Sequence, residues 1–238
     1  MSLKRVRQTT GVLFILGAIL LNIPYTLLIM NFDYPDILRF PTGEILERFA
    51  AGGASLIWTW LAFAWVGLPL LFAILLLPKA LQDETLTGQI ALFFGAVGGF
   101  VQMVGLLRWP FVVPVLARLY TNPQASVATK EAVTAVFQAV HQYGGVVLGE
   151  HIGQLFTILW VVLLSLSLLK NKFFPRWFPI MGFAASIVYA LAQGELLATT
   201  MPGFPVWDAA GLVGSLMWLA WMIALGILLL QRRKEAHE

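Results

Sequence analysis

Glu150 and His151 set a carboxylate beside an imidazole inside GGVVLGEHIGQLFTILWVVLLSLSLLK, the run from Gly144 to Lys170, which is long and apolar enough to cross a bilayer. A charge near the middle of a membrane helix costs roughly 2.5–3.5 kcal/mol on insertion scales, so such groups face a protein interior or a wet cavity and mark function. On an α-helix Glu150, Gln154 and Thr157 recur at i, i+4 and i+7, with His151 at the edge of the same arc. A buried carboxyl with a raised pKa and an imidazole partner are enough for general acid–base work, which makes Glu150 and His151 the catalytic candidates.

The same two residues belong to a wider polar set. Glu195 lies near the outer end of a later apolar run and Asp208 starts the next one, while Arg39, Arg108 and His141 sit at the rim of the same level. Glu150 and Glu195 then lie roughly 7–11 Å below the outer surface at 1.5 Å per residue. The expected ligand-binding set is Glu150, His151, Gln154, Glu195, Arg108 and His141 around a pocket open to the extracytoplasmic side, the usual place for a site in a helical bundle. Facing carboxylates favour a cation or an amine there, and a site dominated by Arg39 and Arg108 favours an anion. The plain alternative is that Glu150 and Glu195 form structural ion pairs with Arg108 or Arg39, and that His151 merely donates to a carbonyl.

Other chemistries find less in the residues. With no Cys, thiol nucleophiles, disulfides and thiolate metal sites are excluded. His141, Glu150, His151, Glu195 and Asp208 supply metal-ligand atom types, but neighbours on a helix point about 100° apart and no HExxH occurs, so no metal is expected. Haem ligation by His141 and His151 is weaker still. GxSxG, P-loop and Rossmann fingerprints are absent, and no cofactor is named by the residues. The balance leans away from an enzyme.

The elements that position these residues follow from composition. At 238 residues, 59% hydrophobic and 11% charged, the chain reads as one all-α domain, an integral membrane protein. Nine Trp suit interfacial anchoring, and the net charge of +3 arises from basic helix ends rather than a nucleic-acid surface. Six spans are expected, about 9–30, 55–77, 88–107, 145–169, 178–200 and 209–230. Pro24 should bend the first. Ile45, Leu46 and Phe49 give a short interfacial helix before the second. Between spans three and four, Val133, Val136, Phe137 and Val140 fall at i, i+3, i+4 and i+7, which predicts an extracytoplasmic amphipathic helix ending at His141, before a break at Gly144-Gly145.

Small residues are spaced for close helix packing: Gly95/Gly99, Gly149/Gly153, and the stripe Gly182, Ser186, Ala190, Gly194. They also allow a homo-oligomer. Lys4, Arg5, Arg7, Lys79, Lys170, Lys172, Arg176, Arg232, Arg233 and Lys234 lie on one side against Arg39, Arg48, Arg108, Arg118 and Lys130 on the other, so both termini should be cytoplasmic. Leu38-Arg39-Phe40-Pro41 echoes Leu107-Arg108-Trp109-Pro110, and Gly52-Gly53 echoes Gly144-Gly145, a pattern compatible with duplication or chance.

Val140-His141-Gln142-Tyr143-Gly144-Gly145, then Leu148-Gly149-Glu150-His151-Ile152-Gly153 up to Trp160, and Phe174-Pro175-Arg176-Trp177 resemble a family of small bacterial six-span membrane proteins catalogued as a domain of unknown function. The resemblance implies a bacterial inner-membrane location and carries over no activity, catalytic residue or cofactor. It implies that the His-x-Tyr-Gly turn and the helix after it matter together.

The leading expectation is therefore an inner-membrane protein that binds, transports or senses a small molecule or cation. The alternatives are an intramembrane isomerase- or cyclase-type enzyme on a lipid-like substrate using Glu150 and His151, and a structural or partner-binding protein. Broken mid-membrane helix pairs, the mark of many secondary transporters, are not visible.

Overall fold

The computed structural model describes residues 2–231, and within them every regular element is helical. Six helical stretches are long and apolar enough to cross a membrane: Leu3–Phe32, Thr42–Leu81, Leu86–Thr121, Val127–Leu169, Trp177–Ala198 and Ala210–Gln231. Arg232, Arg233 and Lys234, which entered the count of basic residues, lie outside the described residues. Large apolar side chains on these helices face outward, among them Ile23, Phe72, Phe93 and Ile187. In water such surface would be a liability; in lipid it is the solvated face.

The helices are α1 (Leu3–Phe32), α2 (Thr42–Trp65), α3 (Gly67–Leu81), α4 (Leu86–Phe111), α5 (Val113–Thr121), α6 (Val127–Val140), α7 (Gly153–Leu169), α8 (Trp177–Leu191), α9 (Gln193–Ala198) and α10 (Ala210–Gln231). A π-helical segment, His141–Ile152, joins α6 to α7. The second, third and fourth stretches run to 40, 36 and 43 residues, well beyond the roughly 20 that span a bilayer.

The helical stretches run past the expected span limits because the flanking helices lead directly into them, the one before span two across a kink at Gly53 and α6 through the π segment. Ser126 caps α6, its Oγ accepting from Thr129 N at 3.1 Å, and Val133 and Phe137 are buried as the spacing predicts. There is no break at Gly144-Gly145. The chain keeps helical hydrogen bonding through both glycines in the wider π form, so the α-helical arc drawn from Glu150 through Gln154 to Thr157 does not hold at its first member. The interfacial helix expected from Ile45, Leu46 and Phe49 is the first part of α2, which turns at Gly53 (φ 55°, ψ −147°), a conformation essentially reserved for glycine. The chain continues helically through Pro24. The fifth span is divided at Ala192, so Gly194 of the small-residue stripe belongs to α9 rather than α8.

Contacts divide the residues into two compact units. The first takes residues 2–19, Leu68–Phe100 and residues 151–231. Here α8 packs on α7 and α10 around Phe14, Leu77, Trp160, Phe178 and Trp221. Close approach is set by small residues: a Cβ on Gly226 would meet Gly11 O at 2.7 Å, and one on Gly95 would meet the Trp160 ring at 2.8 Å. The second unit takes Leu20–Gly67 and Val101–Glu150. In it α5 packs on α2 and α6 around Phe32, Ile37, Leu46, Phe49, Trp60, Trp109 and Phe137.

Candidate functional site

The six residues chosen as ligand-binding candidates fall into two sets. His151, Gln154 and Glu195 belong to the first unit, and Arg108, His141 and Glu150 to the second.

In the first unit His151 Nδ1 lies 2.6 Å from Gln193 Oε1, and Gln193 Nε2 donates to Gln154 Oε1 at 2.6 Å. With the amides oriented as they stand, Gln193 Oε1 accepts from His151 Nδ1, and a neutral imidazole then keeps its lone pair on Nε2. Gln193 was missed by the sequence reasoning: beside the small-residue stripe it reads as an ordinary polar residue, and its only signal is its place next to the division of the fifth span. Glu195 is exposed on α9, two positions further on, and Asp208 is exposed before α10. Thr157, the last member of the predicted polar arc, donates to Gly153 O at 2.9 Å within its own helix.

In the second unit Arg108 is 8% exposed, and its Nη1 donates to Gly105 O at 2.6 Å. Its Cζ lies 5.3 Å from the centre of the Trp109 ring, a cation–π distance, and Glu150 exerts the strongest attraction on its charge. The guanidinium rests against Gly145. Gly149, predicted to serve an approach of another helix, does so toward α4, where a Cβ on Gly105 would stand 2.5 Å from Gly149 Cα. His141 stacks on Phe137 with centroids 5.5 Å apart at 14° and meets Trp109 edge-on at 6.1 Å. Trp109 in turn stacks on Trp60 at 4.5 Å and 9°.

Several buried polar atoms here find no hydrogen-bond partner among the described residues: Arg108 Nε, Trp60 Nε1, Trp109 Nε1 and both ring nitrogens of His141. Each unmet donor or acceptor in an apolar interior costs about 1–3 kcal/mol. Arg39 is exposed near Phe40, where Arg48 stacks and pairs with Glu44 at 2.6 Å and with Asp33.

A groove of about 350 Å³ runs between α5 and α6, lined by Tyr120, Lys130, Glu131, Thr134 and Gln138. A narrow cavity of about 10 Å³, room for one water, lies among Leu77, Asp83, Gly88, Trp160 and Leu164 in the first unit. The predicted ligand residues line neither. Burial raises the Asp83 carboxyl, but hydrogen bonds from Ser167, Thr85 Oγ1 and Thr85 N outweigh it and hold the carboxyl below its ordinary value. Among the described residues no group of three His, Asp or Glu side chains is gathered closely enough to hold a metal ion.

No curated protein and no solved structure matches the chain. The family described as Domain of unknown function (DUF4386) matches residues 9–226, from the first apolar helix into the last. With six membrane-length helices inside that match, the chain is a multi-pass membrane protein belonging to the DUF4386 family.

Proposed function

We propose that the protein binds a small hydrogen-bond-donating molecule, an amine, ammonium or alcohol, at His151, Gln154 and Gln193, and that it does so in a bacterial inner membrane with both termini cytoplasmic. The observation that carries this reading is the relay from His151 through Gln193 to Gln154. It commits His151 Nδ1 to the protein and leaves Nε2 as an acceptor, which a donor group on a ligand complements. Glu195 on the same short helix as Gln193 adds negative charge of the right sign. The basic residues gathered at the N-terminus, around Lys79 and from Lys170 to Arg176 support the orientation.

An acid–base enzyme has less support. Glu150 is drawn to Arg108 and His151 is held by Gln193, so each member of the adjacent pair has its own partner. The small-residue contacts at Gly11, Gly95, Gly105, Gly182 and Gly226 are used within the chain, which leaves them little to offer a partner protein.

Native mass spectrometry of the gently purified protein, wild type beside His151→Ala and Gln193→Leu, tests the reading. A bound amine or alcohol is expected on the wild type and lost from both variants. Identical spectra from all three proteins would remove it.

A further inference from the structure

The second unit gathers more unmet hydrogen-bonding capacity than its packing explains. Trp60 and Trp109 are fully buried, Arg108 nearly so, and each keeps an N–H without a partner among the described residues; His141 keeps both ring nitrogens. These groups are contiguous. Trp60 stacks on Trp109, the Arg108 guanidinium lies against the Trp109 ring, and His141 meets that ring at its edge.

The inventory says what would complete the cluster. Three of the four side chains offer only donors, and His141 in its neutral form offers one donor and one acceptor, so the complement must be rich in acceptors. A cation is therefore excluded. An anion is not required either, because Glu150 already sets its negative charge against Arg108. What remains is a neutral acceptor such as a carbonyl oxygen. The surroundings select its body: Phe32, Phe49, Trp60, Trp109 and Phe137 present ring faces and edges, with Phe49 and Trp60 both stacked on Trp109. Phe49 and Trp60 already cover Trp109, so a flat apolar group would stack here by taking the place of one of these rings.

We propose that Trp60, Arg108, Trp109 and His141 form a binding site for a membrane-soluble carbonyl compound of the quinone class, with carbonyl oxygens received by the unmet N–H groups and the ring plane lying among the aromatic side chains. His141, the half-buried member, marks the side from which the ligand is reached. The glycines beside it serve the same arrangement, since Gly145 yields the space that the guanidinium fills. The site is independent of the His151 relay and binds chemistry of the opposite hydrogen-bonding sense.

The test is a thermal-shift titration of the purified full chain in lipid nanodiscs with decylubiquinone, using wild type, Trp109→Phe, His141→Phe and His151→Ala. Each Phe variant keeps an aromatic ring and removes the ring N–H; Trp109→Phe also gives up part of the indole ring. Wild type and His151→Ala are expected to show a saturable rise in apparent Tm. Half-saturation should move at least tenfold higher in Trp109→Phe and His141→Phe; unliganded His141→Phe should melt no lower than wild type because it has lost orphaned polar atoms, whereas unliganded Trp109→Phe melts lower through the space left in a fully buried stack. No saturable rise in wild type would overturn the proposal. So would an undiminished rise in both Phe variants, or a rise with octanoate or inorganic phosphate in place of the quinone.

Discussion

The Arg108 guanidinium occupies the place where a side chain on Gly145 would have to go: a Cβ there would stand 2.5 Å from Nη2 and 2.7 Å from Cζ. The Arg108 head is not free to yield, because Nη1 is bonded to Gly105 O and Cζ lies against Trp109. Gly145→Ala should therefore destabilise the protein by about 1–3 kcal/mol, the usual cost of overpacking. A Cβ on Gly144 would meet Arg108 Cδ at an ordinary 3.7 Å, so Gly144→Ala should be nearly neutral. Urea or heat unfolding in detergent of the two variants side by side reads the difference, and equal losses would show that Arg108 can move aside.

At Gly53 the constraint is the backbone rather than the neighbours. Nothing lies within 4 Å of an added Cβ, yet φ is 55° with ψ at −147°. Gly53→Ala should cost about 1–3 kcal/mol through strain alone. Since the turn is what lets Ile45, Leu46 and Phe49 be buried at the start of α2, protease cleavage before Gly53 should also become faster. A variant as stable and as resistant as wild type would mean that the turn relaxes without loss.

Acid should loosen the first unit through Asp83, which ties the loop between α3 and α4 to Ser167 of α7. Its carboxyl sits below the ordinary value of 3.8 in the folded protein. The stabilisation is therefore fully present above 3.8, the unfolded value, and is lost as pH falls through the lower folded value. Ser167→Ala should cost about 1 kcal/mol at neutral pH and flatten the acid decline in apparent Tm. An acid profile identical to wild type would exclude Asp83 as its source.

Gly182 packs directly on Ser165 Oγ, and a Cβ there would also come within 2.9 Å of Trp221 Nε1. Gly182→Ala should cost about 1–3 kcal/mol. Ser165→Gly opens the space, so the double variant should recover part of that loss, with a coupling of about 0.5–3 kcal/mol in a double-mutant cycle. Simple additivity would place the strain elsewhere.

The membrane class, the six spans and the amphipathic helix before His141 were legible from the sequence because hydropathy and its period are local: each is fixed by residues within one window, whatever packs against them. The wish of Glu150, His151 and Arg108 for partners was legible for the same reason, since the cost of burying a polar group belongs to the group itself. Which partners they take was not. His151 meets Gln193 across 42 positions, Arg108 takes Gly105 O and the charge of Glu150, and His141 stacks on Phe137 beside Trp109. Gly144 and Gly145 looked like a helix break, because glycine weakens helices in isolation. In the tertiary structure they stay helical in a π segment, and Gly145 is the seat for a guanidinium. A glycine's missing side chain has meaning only against the neighbour that fills the space, and that neighbour is chosen by packing between elements far apart in the chain.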